Sequence, residues 1–207
     1  MLEDRGRFCD FFLNSVPNLD PAKRDVAMVA GACLWIRRDL WFELGGFPTW
    51  FGSTAEDLFL CCAARLRGMR VQVVDGPGFF HLIGHSLGGS AVGDRVLVTS
   101  KSRRFRSERN KIAVMVACYP AACLLLALPL LVASLLFEGL ALSLMQNDSS
   151  IFSDIYWRAL VCAWAERKRM LEMRRKRSVA MRSFFSVFVW IPYKLRMLWR
   201  YGIPQIK

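Results

Sequence analysis

Apolar and polar positions follow two different rhythms along this chain, and the change falls near residue 100. Residues 1–25 are polar and mixed, with Asn18-Leu19-Asp20-Pro21 reading as a turn. Val26 to Ile36 (VAMVAGACLWI) has the length and β-branched content of a strand. Gly31-Ala32 inside it fits either a close backbone approach to a ligand or neighbouring strand, or a small residue where a helix packs. Arg38 to Leu44 predicts a short helix closed by Gly45-Gly46. Pro48 to Gly52 is a loop carrying Trp50 and Phe51. A second helix is predicted from near Ser53, because Ser53 and Glu56 have capping-box spacing. Leu58, Cys62 and Leu66 line one face of it, and Gly68 closes it. Arg70 to Asp75 alternates as a strand, Gly76-Pro77-Gly78 breaks it, and the stretch from Phe79-Phe80-His81 to Ser100 is glycine-rich and irregular. Alternating strands and helices over residues 26–100 predict an α/β region.

After Ser100 the pattern becomes one of blocks. A basic run over 101–111 is followed by 26 uncharged residues, Ile112 to Phe137. As one helix these would be ~39 Å long, against a hydrocarbon core of about 30 Å. Pro120 and Pro129 are expected to kink it. Glu138 ends the uncharged run, and apolar character resumes to Met145. Gln146 to Ser150 is a polar loop without Lys or Arg. Ile151 to Ala165 is apolar again but short, with Asp154 and Arg158 inside it. Glu166 to Arg177 carries seven basic residues. Val179 to Tyr193 is aromatic-rich and interrupted by Arg182. Both basic clusters are expected on the cytoplasmic side. That favours a hairpin or re-entrant pair, 112–145 in and 151–165 back, with the last segment an amphipathic helix in the interface.

Composition reinforces this division. The chain is 54% hydrophobic yet carries a net charge of +12 over 207 residues. High apolarity with high basicity points to an anionic membrane surface, where each Lys or Arg gains roughly 1 kcal/mol. Nucleic acid is the rival for a basic chain, but the clusters are flanked by apolar, membrane-type segments, so no nucleic-acid partner is expected. The seven cysteines include no C-x-x-C pair and mostly sit in apolar runs. They read as reduced, buried thiols. No secretory signal pattern opens the chain.

Three constellations could carry chemistry. Glu56-Asp57 opens a helix next to an aromatic loop. A carboxylate there could take the proton of an acceptor hydroxyl, kept ionised by the helix dipole, with Trp50 and Phe51 shaping a sugar pocket. The same spacing also fits a plain capping acid. His81, after a strand, could ligate a divalent metal or be a packed, hydrogen-bonded side chain. His85 and Ser86, in a glycine-bounded turn, could contact phosphate, or Ser86 could cap the turn. Arg109-Asn110 could hold a phosphate or form an ordinary positive flank.

Together, Gly31-Ala-Cys-Leu-Trp-Ile-Arg-Arg38, Gly45-Gly46-Phe47, Glu56-Asp57, Leu60, Gly68, His81-x-x-Gly84-x-Ser86 and Arg109-Asn110 resemble the acceptor-side half of family 2 glycosyltransferases, close to bacterial rhamnosyltransferase-like enzymes. The resemblance spans about residues 26–200. It implies an α/β fold: an incomplete GT-A (Rossmann-like) half-domain over 26–100, after a lead-in over 1–25, followed by α-helical membrane-associated segments over 101–207. It implies Asp57 as general base of an inverting transfer, with Glu56 orienting the acceptor or the helix start. Gly31, Ala32, Trp50, Ser86 and Arg109 would contact substrate, and His81 would contact the metal or diphosphate. The implied donor is a nucleotide-diphosphate sugar, with a divalent metal (Mg or Mn). The implied acceptor is a glycan or polyprenyl-linked glycan at the cytoplasmic face of the inner membrane. Pro48, Phe59 and Ala63 replace polar residues of the family pattern. Family members carry a nucleotide-binding half with an Asp-x-Asp motif before this region, and no Asp-x-Asp occurs here. The chain is therefore expected to be a fragment, a truncated product or one half of a split enzyme, inactive alone. The alternative is a non-catalytic membrane-anchored binding or scaffold protein derived from such an enzyme.

Overall fold

A computed structural model of the chain describes residues 5–74, 91–93, 96–174 and 178–206. It opens with an antiparallel hairpin of β1 (Arg7–Asp10) and β2 (Ser15–Pro17), Cys9 lying opposite Ser15. Asp10 organises the connection. Its Oδ1 accepts the N–H groups of Phe12 and Asn14 at 3.0 and 2.9 Å, an Asx-type turn. Its Oδ2 accepts the N–H of Tyr193 at 2.7 Å and so ties the chain's two ends together. A third strand, β5 (Phe188–Val189), runs parallel to β1, giving the order β2-β1-β5.

The strand expected over 26–36 is not formed. Val26 donates to the carbonyl of Val71 and Met28 to that of Arg7, but the chain then turns through a 3₁₀ segment, Gly31–Cys33. The reason is visible at Gly31, whose N–H donates to the Asp57 carboxylate and not to a neighbouring strand. The strand expected over 70–75 is likewise reduced. Asp25 and Gln72 form an isolated antiparallel bridge, and Val73 donates to Arg24 at 3.0 Å. The helix α1 (Arg38–Leu44) forms as predicted, and Gly45 closes it in the left-handed conformation (φ 79°). The helix α2 (Glu56–Leu66) is buried along nearly its whole length, and Gly68 follows it at φ 83°.

A second small sheet joins β3 (Ala91–Gly93), β4 (Val96–Thr99) and β6 (Gln205–Ile206). Then come two long helices, α3 (Lys101–Cys118) and α4 (Ala121–Gln146). The expected unbroken helix over 112–137 is therefore two. Pro120 has no N–H and forces Tyr119 into extended backbone (φ −74°, ψ 140°), so α3 ends there and does not kink. Ile112 to Cys118 belong to the protein core, with Ala113, Val114, Met115 and Ala117 fully buried. Tyr119 is buried too and donates its hydroxyl to the Phe11 carbonyl at 2.8 Å. Asn147 reverses the chain in the left-handed conformation (φ 50°). The chain then returns through α5 (Ser149–Ile151), a π-helical stretch Phe152–Trp157, α6 (Arg158–Ala165) and α7 (Arg167–Glu172). Gly139 of α4 makes that return possible, since a Cβ there would meet the Tyr156 ring at 2.8 Å.

Residues 179–193 are not one amphipathic helix. They form α8 (Met181–Phe184), a 3₁₀ turn and β5, with Phe184, Val187 and Phe188 buried. Phe185 stacks on Phe11 (5.2 Å) and meets Tyr119 edge-on (5.3 Å), each such pair adding about 0.5–1.5 kcal/mol beyond its buried area. The amphipathic helix comes later, as α9 (Tyr193–Tyr201). All seven cysteines are free thiols, four of them buried.

A buried charge network fastens these helices. Glu108 of α3, fully buried, receives Lys111 at 2.7 Å, Lys194 of α9 at 3.0 Å and Arg104 at 3.2 Å. Lys194 and Arg104 both also pair with Glu138 of α4. Lys111 donates onward to Asn14 at 2.8 Å, which links the network to Asp10. Burial opposes ionisation of Glu108, but Lys111, Lys194 and Arg104 together hold its carboxyl well below the ordinary range.

Candidate active site

The acidic pair sits on a loop the backbone would not adopt unaided. After the 3₁₀ turn Thr49–Phe51, Gly52 has φ 72°, Thr54 75° and Ala55 64°. For Thr and Ala the left-handed region costs roughly 1–2 kcal/mol each. Ala55, in that conformation, precedes the first residue of α2, and no side chain caps the helix. The predicted Ser53–Glu56 capping box is therefore absent. Glu56 is freed from capping, and both carboxylates belong to the first turn.

α3 holds this loop in shape. The fully buried Asn110 amide donates to the carbonyls of Phe51 (3.1 Å), Ser53 (3.3 Å) and Thr54 (2.7 Å). Arg109 donates to the carbonyls of Trp50 (3.0 Å) and Phe51 (3.1 Å) and to Asn110 Oδ1 (2.9 Å). Its guanidinium also lies over the Trp50 ring, 5.4 Å from the centroid. Arg109 thus touches the loop through backbone and aromatic contacts.

Asp57 is tied to the Gly31 turn. Its Oδ2 accepts the Gly31 N–H at 3.1 Å and its Oδ1 accepts the Leu58 N–H at 2.8 Å. A Cβ at Gly31 would stand 3.5 Å from the Asp57 Cβ and 3.4 Å from the Phe47 ring. Two of the predicted site residues, 26 positions apart, are therefore in direct contact. Burial raises the Asp57 pKa above the ordinary aspartate value, and the two backbone N–H groups pull it part of the way back. Glu56 is raised as well, first by burial and then by the charge of Asp57, with Arg103 opposing. Its Oε2 is buried without a hydrogen-bond partner, as are Trp50 Nε1 and Thr54 Oγ1. Three unsatisfied polar atoms within seven residues of one loop mark a place where a polar ligand would be welcome.

Ala32 is exposed beside Gly31, and Trp50 is half-buried on the loop. His81 and Ser86 lie outside the described residues. Among the described residues no group of three His, Cys, Asp or Glu side chains stands together to hold a metal ion. A cleft of about 300 Å³ opens beside the loop, lined by Lys101, Phe105, Arg106, Asp154 and Arg158. Arg106 joins the two, its Nη1 lying 3.5 Å from where a Gly52 Cβ would be. Sequence reasoning named Asn110 without giving it a task and passed over Arg106. The partners of Asn110 are carbonyls 56–59 positions away, which leave no trace in its own neighbourhood. Nothing in Thr54 or Ala55 announces positive φ, where Gly or Asn would be usual.

The acidic pair thus stands on a strained loop at the N-terminus of α2, within a mixed helix–sheet domain. Residues 9–165 match the family model described as Glycosyl transferase family group 2, and the chain belongs to that family. No curated protein and no solved structure matches the chain.

Proposed function

We propose that this chain, whose family carries out glycosyl transfer, supplies the acceptor side of an inverting transfer from a nucleotide-diphosphate sugar. The observation that carries the reading is Asp57, placed at the start of α2, bonded to the Gly31 backbone and raised in pKa. Its carboxylate takes the proton from the acceptor hydroxyl. The acceptor oxygen then bonds to the anomeric carbon from the face opposite the leaving group. The bond from that carbon to the diphosphate breaks, and its electron pair leaves with the nucleoside diphosphate. A base with a raised pKa suits this task near neutral pH. Trp50 would flank the sugar, and Arg109 keeps the loop in place.

A glycan on an anionic lipid carrier fits the acceptor role. The cleft lined by Lys101, Arg106 and Arg158 is cationic and adjoins Gly52, so a carrier phosphate there would leave the sugar terminus near Asp57. Association with the cytoplasmic face of the inner membrane accords with α4, the one helix among the described residues long and apolar enough to cross a bilayer.

A second reading of the base rests on Glu56 Oε2, which is buried and unpaired where both Asp57 oxygens are engaged. Transfer measured for Asp57→Asn and Glu56→Gln separates the two. Asp57 as base requires a loss of about 10²-fold or more for Asp57→Asn and a smaller loss for Glu56→Gln. The reverse ranking makes Glu56 the base, and full activity in both variants removes the site.

A further inference from the structure

Apart from Glu138 and a few small polar positions, α4 is apolar, and it is covered on one side only. Leu131, Leu135, Gly139 and Leu142 form a buried stripe against the protein. On the opposite side Leu126, Leu130, Phe137 and Leu144 form a bare stripe, exposed by 61–81%. A single stripe of this kind, running the length of a ~39 Å helix, must meet something other than water.

The packing decides how a bilayer could meet it. α3 runs antiparallel along α4: Pro120 joins one pair of ends, and Lys101 bonds Asp148 at 2.8 Å at the other. Between these points Arg104 pairs with Glu138. The charged first three turns of α3 thus lie beside the C-terminal half of α4, and Arg109 and Asn110 hang the acidic loop from the same helix. If α4 stood across a bilayer, that loop and the half-buried Arg103 and Arg106 would share its depth. Lipid-facing loop backbone, as at the exposed Gly52, and half-exposed charged side chains are not accommodated at hydrocarbon depth.

α9 supplies a second, independent observation. Lys194 bonds Glu138, and Gln146 bonds the backbone of Pro204 and Ile206, so the chain from α9 to β6 runs beside the last third of α4. α9 leaves Leu195, Leu198 and Trp199 bare, Trp199 by 91%, with Arg196 exposed on its flank. An aromatic–aliphatic face edged by arginine is the pattern of a helix lying in a lipid interface. The net charge of +12 favours an anionic leaflet.

We infer that α4 does not cross the membrane but lies in the plane of one anionic leaflet, with α9 beside it. The bare stripe of α4 faces the acyl chains, and the acidic loop stays on the aqueous side. This rests on the membrane association proposed above and replaces the inward-and-back hairpin with a monotopic arrangement. It makes the surface of the leaflet, and not its interior, the plane from which an acceptor is presented.

Nitroxide depth measurements on the full chain test this. Cys33, Cys123 and Cys162 are replaced by Ala, leaving the four buried thiols. Single labels are placed at the exposed positions Ala122→Cys, Ala133→Cys and Leu144→Cys, which touch no core contact. Circular dichroism confirms that each variant is folded. Flotation with phosphatidylcholine–phosphatidylglycerol vesicles is read first, and oxygen and nickel-chelate accessibility second. The in-plane arrangement predicts one shared shallow depth for all three labels, about 5–10 Å below the headgroups. Labels at Ala122 and Leu144 near opposite surfaces, with Ala133 deepest, overturn it while leaving membrane association standing. Failure to float overturns membrane association itself. Spin–spin broadening between copies, with no lipid contact, overturns the inference in favour of a second copy on this face.

Discussion

Replacing Asn110 by Ala should separate the shape of the acidic loop from the stability of the fold. The Asn110 amide has two N–H donors shared among three carbonyls, those of Phe51, Ser53 and Thr54. Each lost bond costs about 0.5–1.5 kcal/mol net, and each buried carbonyl left without a donor about 1–3 kcal/mol. With the loop fixed, Asn110→Ala would therefore cost roughly 2–4 kcal/mol. The loop need not stay fixed. Thr54 and Ala55 together hold about 2–4 kcal/mol of left-handed strain that relaxation releases. Relaxation thus caps the loss at about 2 kcal/mol, or ~4–8 °C in Tm for a chain of this size. Transfer suffers more, because a shift of about 1 Å in a reacting group costs on the order of 10²-fold. The expected result is a modest fall in Tm by circular dichroism and a fall in sugar transfer of about 10²-fold or more. Adding Thr54→Gly should recover neither Tm nor activity, since the relaxed loop holds no strain for glycine to remove. Wild-type Tm together with wild-type transfer in Asn110→Ala would refute the clamp.

Three other outcomes follow from the electrostatics. Because burial raises the Asp57 pKa, kcat/KM for transfer should climb with pH through an acid limb above the ordinary aspartate value; a limb at about pH 4 or below would contradict a raised base. Glu56 also has a raised folded pKa, so its ionisation opposes folding as pH rises through that value. Glu56→Gln should raise Tm at about pH 8 and leave it unchanged at about pH 4, and equal shifts at both would exclude the linkage. Glu108 is the opposite case: its lowered folded pKa contributes stability above the ordinary glutamate range, and that stability is lost as pH falls toward the folded value. Glu108→Gln strips three cations of a shared partner and should cost about 3–5 kcal/mol. At ~2–4 °C per kcal/mol this is a fall of ~6–20 °C in Tm, and a shift under ~2 °C would show the network to be dispensable.

What could be read from the sequence was what depends on near neighbours. α1 and its Gly45 cap needed only the pattern of Arg38 to Leu44, and the cluster of Gly31, Phe47 and Asp57 was visible as a family pattern before the fold brought the three together. What escaped depends on distant partners. The segment 26–36 has strand composition, yet its Gly31 N–H is taken by a carboxylate 26 residues on. The break before α4 escaped because an uncharged run looks like one helix when only charge and length are counted. Pro120 ends α3 by holding Tyr119 in extended backbone, and the Tyr119 hydroxyl fastens that end to Phe11. Glu138 marked the end of an apolar stretch in the sequence; in the fold it is the point at which α3, α4 and α9 are joined.

The most direct test of the account is sugar transfer in membranes from cells that carry the gene in its native setting. Labelled nucleotide-diphosphate sugars are offered one at a time to wild type and to Asp57→Asn, at equal amounts of folded protein. The account predicts that a sugar reaches a membrane-extractable acceptor in wild type and that Asp57→Asn lowers this by about 10²-fold or more, with Tm unchanged or raised. Transfer by Asp57→Asn at the wild-type rate would contradict it.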